Sequence, residues 1–533
     1  MSENKQWKQL EKLRGRWHLE EVRNTILGTI ENRDNPELNK DIVFELDLLS
    51  KSEEELINLF YSLKGTNYEN IFFFNDSIEN LALEIFKEKS KSNSILDLGS
   101  GVGHMLYKAA KNYNYTELEG EEINPDAIKI SNIILDKLDA KKEISNVDST
   151  FNFSNTKKYD SVFVDGLFLN ANKNQFDDIA KQAGEEFLTT KGRILEWVFV
   201  NRILHNIDND GVGVIVIRDS ALTSDYNADI RKQLVESGLI KAVIQLPKNI
   251  LELTSISTSI LVLSKNNAED ITFIDASEEF EVKNRFEAKF SESNIQKIIH
   301  SFEQNTSISC VITKDEIRKK HYALNAKRYV NNVVDNLINP VSLTSLVDVI
   351  RGRDISKKIL DDDKSKAKAG YLINLSDIQD YNIFFPQQEI SSEVFEEYKR
   401  YKVEPLDIVI TARGSGFKVA LVREDISDKN MIVSSNLNIL RVKDSSIDPY
   451  YLFSFLTSQL ATEQLEQLSS GSVINVISKK SLDDFQVSLL NQEEQEEIAK
   501  QMEETIIDYT SYLEKINNLQ SDIKSLFEKT LEV

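Results

Sequence analysis

Asp97-Leu98-Gly99-Ser100-Gly101-Val102-Gly103 sets one acid and three glycines at alternate positions between the apolar run SILDL and the helix-like run HMLYKAAKNY. Glycines at such a junction let the backbone turn sharply and bring a ligand close to a helix N-terminus, where unpaired N–H groups face outward. Asp97, Gly99 and Gly101 are therefore candidates for holding a cofactor. The following run, TELEGEEI, ends near Glu122, a carboxylate placed to receive two hydrogen bonds from a ribose diol. Asp148, in NVDST, stands where an adenine amino group could be read. A glycine loop alone fits many nucleotide folds and also a plain tight turn. Here the spacing is GxGxG with an acid opening the loop, unlike the GxGxxG of dinucleotide sites.

These residues need a scaffold, and the pattern around them supplies one. SILDL, TELEGEEI, YDSVFVDG, GVGVIVIRDS, IKAVIQLP and SISTSILVLSK read as strands, and HMLYKAAKNY and PDAIKISNIILDKL as helices between the first three. Strand and helix alternating through short turns predict a doubly wound, largely parallel α/β sheet. Residues 1–70 form an N-terminal helical region, with apolar residues at three- and four-residue spacing. A helix from about Ser77 to Lys89, capped by Asn75 or Asp76, opens the sheet domain at 71–330. Periodicity fades around 325–340 near Pro340, and an α+β unit follows at 341–490. Residues 491–533 lack Gly and Pro and repeat apolar residues from Ile498 to Phe527, which predicts a long amphipathic helix.

Composition narrows the function. With 41% hydrophobic and 9% aromatic residues, a chain of 533 can bury several cores. No apolar run is long enough to span a membrane and no h-region precedes the first helix, so a cytoplasmic location is expected. The single cysteine, Cys310, excludes an intrachain disulfide and any multi-Cys metal site, and no metal is expected. A net charge of −23 opposes non-specific nucleic-acid binding. Locally, Arg351, Arg353, Lys357 and Lys358 crowd one stretch, and Arg413 and Lys418 follow. By itself such a run describes a solvated face.

The order of glycine loop, ribose acid and adenine acid resembles the S-adenosylmethionine (SAM) site of class I methyltransferases. Downstream, Asp229-Ile230-Arg231-Lys232-Gln233-Leu234-Val235 and GLIKAVIQLPKNILELTSISTSILVLSK at 238–265 resemble the modification (M) subunit of type I restriction-modification systems. In that family the fourth strand ends in Asn-Pro-Pro-Phe, and the resemblance puts Asp165-Gly166-Leu167-Phe168 at this catalytic tetrad. Asp165 keeps an acceptor for the exocyclic amine and Phe168 an aromatic to stack on a flipped base. Both prolines are absent, so the rigid turn that presents the backbone carbonyl is not imposed. The family's "F-x-T-P" segment also departs, reading FFFN at 72–75.

The C-terminal third resembles one half of a type I specificity (S) subunit. Tyr371-Leu372-Ile373-Asn374-Leu375-Ser376-Asp377-Ile378, the LDIVITARGSG run at 406–416, Lys418-Val419-Ala420-Leu421-Val422, SNLNILR at 435–441 and Asp448-Pro449-Tyr450-Tyr451-Leu452 follow the family's order. Asp-Pro-Tyr-Tyr imitates a catalytic tetrad, but its place in this order makes it a helix start.

Together the resemblances imply a class I SAM-dependent methyltransferase domain with a target-recognition domain that ends in the 491–533 helix. They imply sequence-specific binding of double-stranded DNA, adenine methylation with SAM, and Arg351, Arg353, Lys357, Lys358, Arg413 and Lys418 as DNA contacts. The alternative is an inactive pseudo-methyltransferase serving as a recognition or regulatory subunit; a methyltransferase for a non-DNA substrate is opposed by the S-like third. A single S-like half implies a homodimer or pairing with another S-like chain. No helicase or nuclease motif is visible, so restriction would need a separate subunit.

Overall fold

Aliphatic and β-branched runs between 94 and 264 are buried along almost their whole length, as strands covered on both faces must be. The computed structural model describes residues 16–63, 75–89, 93–166, 172–184, 187–189, 191–251, 256–266, 270–284, 287–302, 304–330, 333–362, 367–423, 429–469 and 475–530. They fall into two units, Met1–Val330 and Asn331–Val533.

The first unit is built on a nine-stranded sheet. Its strands are β1 (Ser94–Leu98), β2 (Glu117–Glu122), β3 (Lys141–Asn146), β4 (Tyr159–Val164), β5 (Ile207–Arg218), β6 (Ile240–Gln245), β7 (Thr258–Ser264), β8 (Asp270–Asp275) and β9 (Ser309–Thr313). Their order is β9-β8-β6-β7-β5-β4-β1-β2-β3. β3, β2, β1, β4 and β5 run parallel, β7 is antiparallel to both β5 and β6, and β9 is antiparallel to β8. The order reverses between β1 and β4, which makes their carboxyl ends a topological switch point where open α/β sheets bind ligands.

Helices α1 (Leu19–Glu31), α2 (Glu53–Ser62), α3 (Asp76–Lys89), α4 (His104–Tyr113) and α5 (Pro125–Leu135) contribute to one core with Ile95, Leu118 and Phe163. The N-terminal helices thus share the core of the sheet domain rather than enclosing one of their own. Ser52 begins α2 with a capping box to Glu55, and Asn75 caps α3 by accepting from the N–H groups of Ser77 and Ile78. A second core on the opposite face is led by α6 (Leu195–Asn206), whose Trp197 and Phe199 are buried.

In the second unit, β10 (Val347–Arg351), β11 (Lys368–Ile373), β12 (Gln388–Ser391), β13 (Ile408–Thr411), β14 (Arg413–Gly414), β15 (Val419–Leu421), β16 (Met431–Val433), β17 (Leu437–Val442) and β18 (Asn475–Val476) form small sheets. One has the order β10-β17-β13-β15, another β12-β11-β16, and β14 pairs with β18. Asp448 caps helix α7 (Pro449–Leu456), with Pro449 in its first turn, so this segment is a helix start. The chain then forms one long helix, α8 (Gln492–Thr530), whose Ile498, Ala499, Met502 and Ile506 pack on the core that includes α7. No helix among the described residues is long and apolar enough to cross a membrane.

Candidate functional site

The loop from β1 to α4 is held from below by the next strand. Gly99 and Ser100 donate their N–H groups to the carbonyl of Glu121 at 2.8 and 3.0 Å, and Gly103 donates to Ser100 at 2.9 Å. Gly103 has φ +77° and lies so close to α5 that a Cβ there would collide with the Ser131 hydroxyl. On β2, a Cβ at Gly120 would come within 2.6 Å of Ser100 Oγ. These two contacts explain why glycine is needed behind the loop as well as in it.

Four carboxyl groups gather around this loop. Asp97, the penultimate residue of β1, is almost fully buried, and burial pushes its carboxyl well above the usual carboxylate range, with the charges of Glu79, Asp165 and Glu122 adding to the effect. Glu122 closes β2, taking the N–H of Gly101 at 2.9 Å on one oxygen and that of Asn124 at 2.8 Å on the other. Asp165 and Gly166 follow β4 and are half-buried. Asp97, Gly99, Gly101, Glu122 and Asp165 are thus brought to one edge of the sheet. Asp148 lies one strand further out and is exposed; its Oδ1 accepts from the Thr150 N–H and hydroxyl at 2.9 and 2.6 Å. The bond from Val147 N–H to the Glu122 carbonyl, 3.1 Å, keeps that segment beside β2. Leu167 and Phe168 lie outside the described residues.

Several groups here were not foreseen. Glu79, on α3, receives His104 Nδ1 at 2.5 Å and adds its charge to the field at Asp97. Asp76, Glu79 and His104 offer ligand atoms within 4.8 Å of one another. Lys108 Nζ, however, is 3.4 Å from Asp76 Oδ1 and 3.3 Å from Glu79 Oε2, so an ammonium already supplies the positive charge a metal would bring. Tyr61 reaches in from α2 and donates to the carbonyl of Val102 at 3.1 Å. Beneath the loop, Glu121 and Arg202 form a buried pair at 2.9 Å, with Asn152 Nδ2 on the same carboxylate oxygen at 2.7 Å. Asp219, after β5, binds Gln245 Nε2 and Ser259 Oγ, both at 2.7 Å, and so ties together the ends of β5, β6 and β7.

In the second unit Arg351, Arg353, Lys358 and Arg413 are exposed, and no described hydrogen bond or ion pair holds the three guanidinium groups. Lys357 opens a short helix, Lys357–Asp362, and its side chain is outside the described set. Lys418 does not join this group. Its Nζ donates to the carbonyls of Leu375 and Ile378 at 3.0 and 2.7 Å, which makes it a clamp between backbone segments.

A parallel sheet in the order β3-β2-β1-β4-β5 with an antiparallel β7 beyond it, a glycine loop after β1 and a carboxylate at the end of β2 define a class I SAM-dependent methyltransferase fold. Residues 45–336 match the N-6 DNA methylase family, and the chain belongs to it. Residues 337–520 match the type I restriction modification DNA specificity domain. The chain is 28% identical over 370 residues to the type I restriction enzyme MpnII methylase subunit of Mycoplasma pneumoniae, covering 63% of this chain and 66% of that protein. It is 29% identical over 161 residues to the EcoBI specificity subunit of Escherichia coli, covering 30% of this chain and 33% of that one. The chain therefore spans just under two thirds of the first relative and a third of the second. Among solved structures it is similar to the type I restriction-modification methyltransferase subunit of Streptococcus thermophilus, at 23% identity and a TM-score of 0.45 over 54% of this chain and 67% of that one.

Proposed function

We propose that the chain methylates the N6 amino group of adenine, with SAM as methyl donor, within a duplex DNA sequence read by its C-terminal unit, in a type I-like restriction-modification system. One observation carries this reading. Asp97 lies near the carboxyl end of β1 and Asp165 follows the adjacent parallel β4, with the charge of Asp165 acting on Asp97, so the cofactor loop and the tetrad position share one edge. Both relatives named above carry type I restriction enzyme names, one for methylation and one for specificity, which supports joining the two activities in one chain.

The residues fit SAM. Gly99 and Gly101 leave room for close approach, Glu122 suits a ribose diol, and Asp97 suits a ligand bearing a sulfonium and an ammonium. When bound, SAM supplies a methyl group activated by positively charged sulfur. Asp97, Gly99, Gly101 and Glu122 hold it, with Asp148 toward its adenine ring. Asp165 accepts a hydrogen bond from the exocyclic amine of the target base and receives the proton that the amine loses. The carbonyl of Gly166 is the second acceptor, and Phe168 stacks on the flipped base, a contact worth about 1–3 kcal/mol in comparable cases.

A second reading, DNA recognition without methyl transfer, is favoured by the absence of proline at 166 and 167, because no pyrrolidine ring then fixes the turn that presents the Gly166 carbonyl. Transfer of a tritiated methyl group to duplex DNA separates the two. Transfer by the natural chain that is lost in Asp165→Ala supports the first; DNA binding with no transfer in either supports the second. The exposed apolar face of α8, with Ile516, Leu519 and Ile523, supports pairing with a second copy or with another S-like chain. Restriction would be the work of a separate subunit.

A further inference from the structure

Four backbone segments of the second unit converge on one turn. Leu437 N–H donates to the Ser434 carbonyl at 3.0 Å, so Ser435 and Asn436 form the tip of a turn between β16 and β17. The carbonyl of Asn436 accepts from both Ala412 and Arg413 N–H, at 2.7 and 3.1 Å, which fixes the tip against the end of β13. Gly352 N–H donates to the Leu437 carbonyl at 3.0 Å, and Arg353 forms a parallel bridge with Ser434. A Cβ at Gly352 would stand 2.6 Å from the Val433 carbonyl, so only glycine brings the end of β10 this close. From the other side, Ser434 N–H donates to the Ile373 carbonyl at 3.0 Å.

The turn is rigid in its backbone and open in its side chain. Asn436 is exposed, and among the described residues no hydrogen bond engages its amide. Arg351, Arg353 and Arg413, also exposed, are carried on the segments that cradle it. A side-chain amide presents one donor and one acceptor, matching the N6 and N7 edge of adenine, and guanidinium groups match O6 and N7 of guanine. An exposed amide on a rigid turn, flanked by arginines, has the form of a base-reading element rather than of a phosphate clamp, which needs only charge.

We infer that Asn436 determines specificity: its amide reads an adenine in the major groove, and Arg351, Arg353 and Arg413 read or position the neighbouring base pairs. This rests on the proposal that the second unit recognises duplex DNA. The test selects bound sequences from a randomised duplex library with the full chain and measures the salt dependence of binding. In Asn436→Ala, preference for adenine at one position falls by on the order of tenfold to a hundredfold. Other positions keep their preference, the salt slope is unchanged because no charge is lost, and the thermal unfolding profile matches that of the natural chain. Asn436→Asp keeps the shape but offers only acceptors, and moves the preference at that position toward cytosine. Full preference at every position in both variants, or an even weakening on all sequences, overturns the assignment while leaving DNA recognition in place. A natural chain with no sequence preference overturns both.

Discussion

The buried pair beneath the glycine loop gives the sharpest quantitative test. Arg202 is fully buried, Glu121 is 1% exposed, and they meet at 2.9 Å. Apart from Arg202, the carboxylate of Glu121 has Asn152 as its one described partner, its second oxygen having none. Arg202→Met keeps much of the side-chain volume and removes the charge. The carboxylate is then left in an apolar setting, and losing one member of a buried pair costs about 3–5 kcal/mol. Replacing both members leaves no stranded charge, so Arg202→Met with Glu121→Gln should cost clearly less than Arg202→Met alone.

Urea unfolding followed by tryptophan fluorescence reads this in the first unit alone, since all three tryptophans lie before residue 198. Cofactor binding should weaken too, because the Glu121 carbonyl anchors Gly99 and Ser100. A single-variant cost under about 1 kcal/mol, or a double variant no better than the single, would refute the reasoning.

Gly103→Ala should weaken SAM binding in calorimetry and lower the melting temperature, since φ +77° costs a side chain about 1–2 kcal/mol before the collision with Ser131 is counted; adding Ser131→Ala should recover only part of the loss. Asp97 is held above the carboxylate range by burial and by Glu79, Asp165 and Glu122. Its contribution to stability is therefore present below about pH 3.9 and disappears as pH rises through the raised value. Asp97→Asn should stabilise the SAM-free chain at neutral pH, by an amount that grows with pH in a melting series, while weakening SAM binding. Ile516→Glu with Ile523→Glu places charges on the exposed apolar face of α8, and sedimentation should show a dimer becoming a monomer with no change in melting.

Strands that lie inside the sheet were legible because both their faces are apolar, as in VFV and VIVI. β3, KKEISN, was not: it is an edge strand, with exposed and half-exposed residues along its length, and its sequence carries no such run. β8 and β9 escaped for a different reason, since the sheet extends past the last run that the pattern of resemblance covers. The glycine loop and Glu122 were legible because neighbouring strands bring them together. Arg202 lies 81 residues from Glu121, and Glu79 25 from His104; only the folded sheet juxtaposes them. Lys418 shows the opposite limit: it was expected among the DNA contacts, whereas its ammonium clamps two carbonyls.

The same distinction bears on how a chain of net charge −23 could approach DNA at all. At long range it repels phosphate, and part of its basic content is committed internally: Lys418 to carbonyls, and Arg441 to Asp407 at 2.8 Å and Glu404 at 2.7 Å. What remains open around the Asn436 turn is a small set of arginines. Each phosphate contact adds about 0.9 to the slope of log affinity against log salt, so a protein with few free cations binds with a shallow slope and gains little on random sequence. Its affinity must then come from base edges. An acidic chain whose few exposed arginines ride on hydrogen-bonded segments would discriminate between sequences better than it holds DNA indiscriminately, as the proposed modification at defined sites requires.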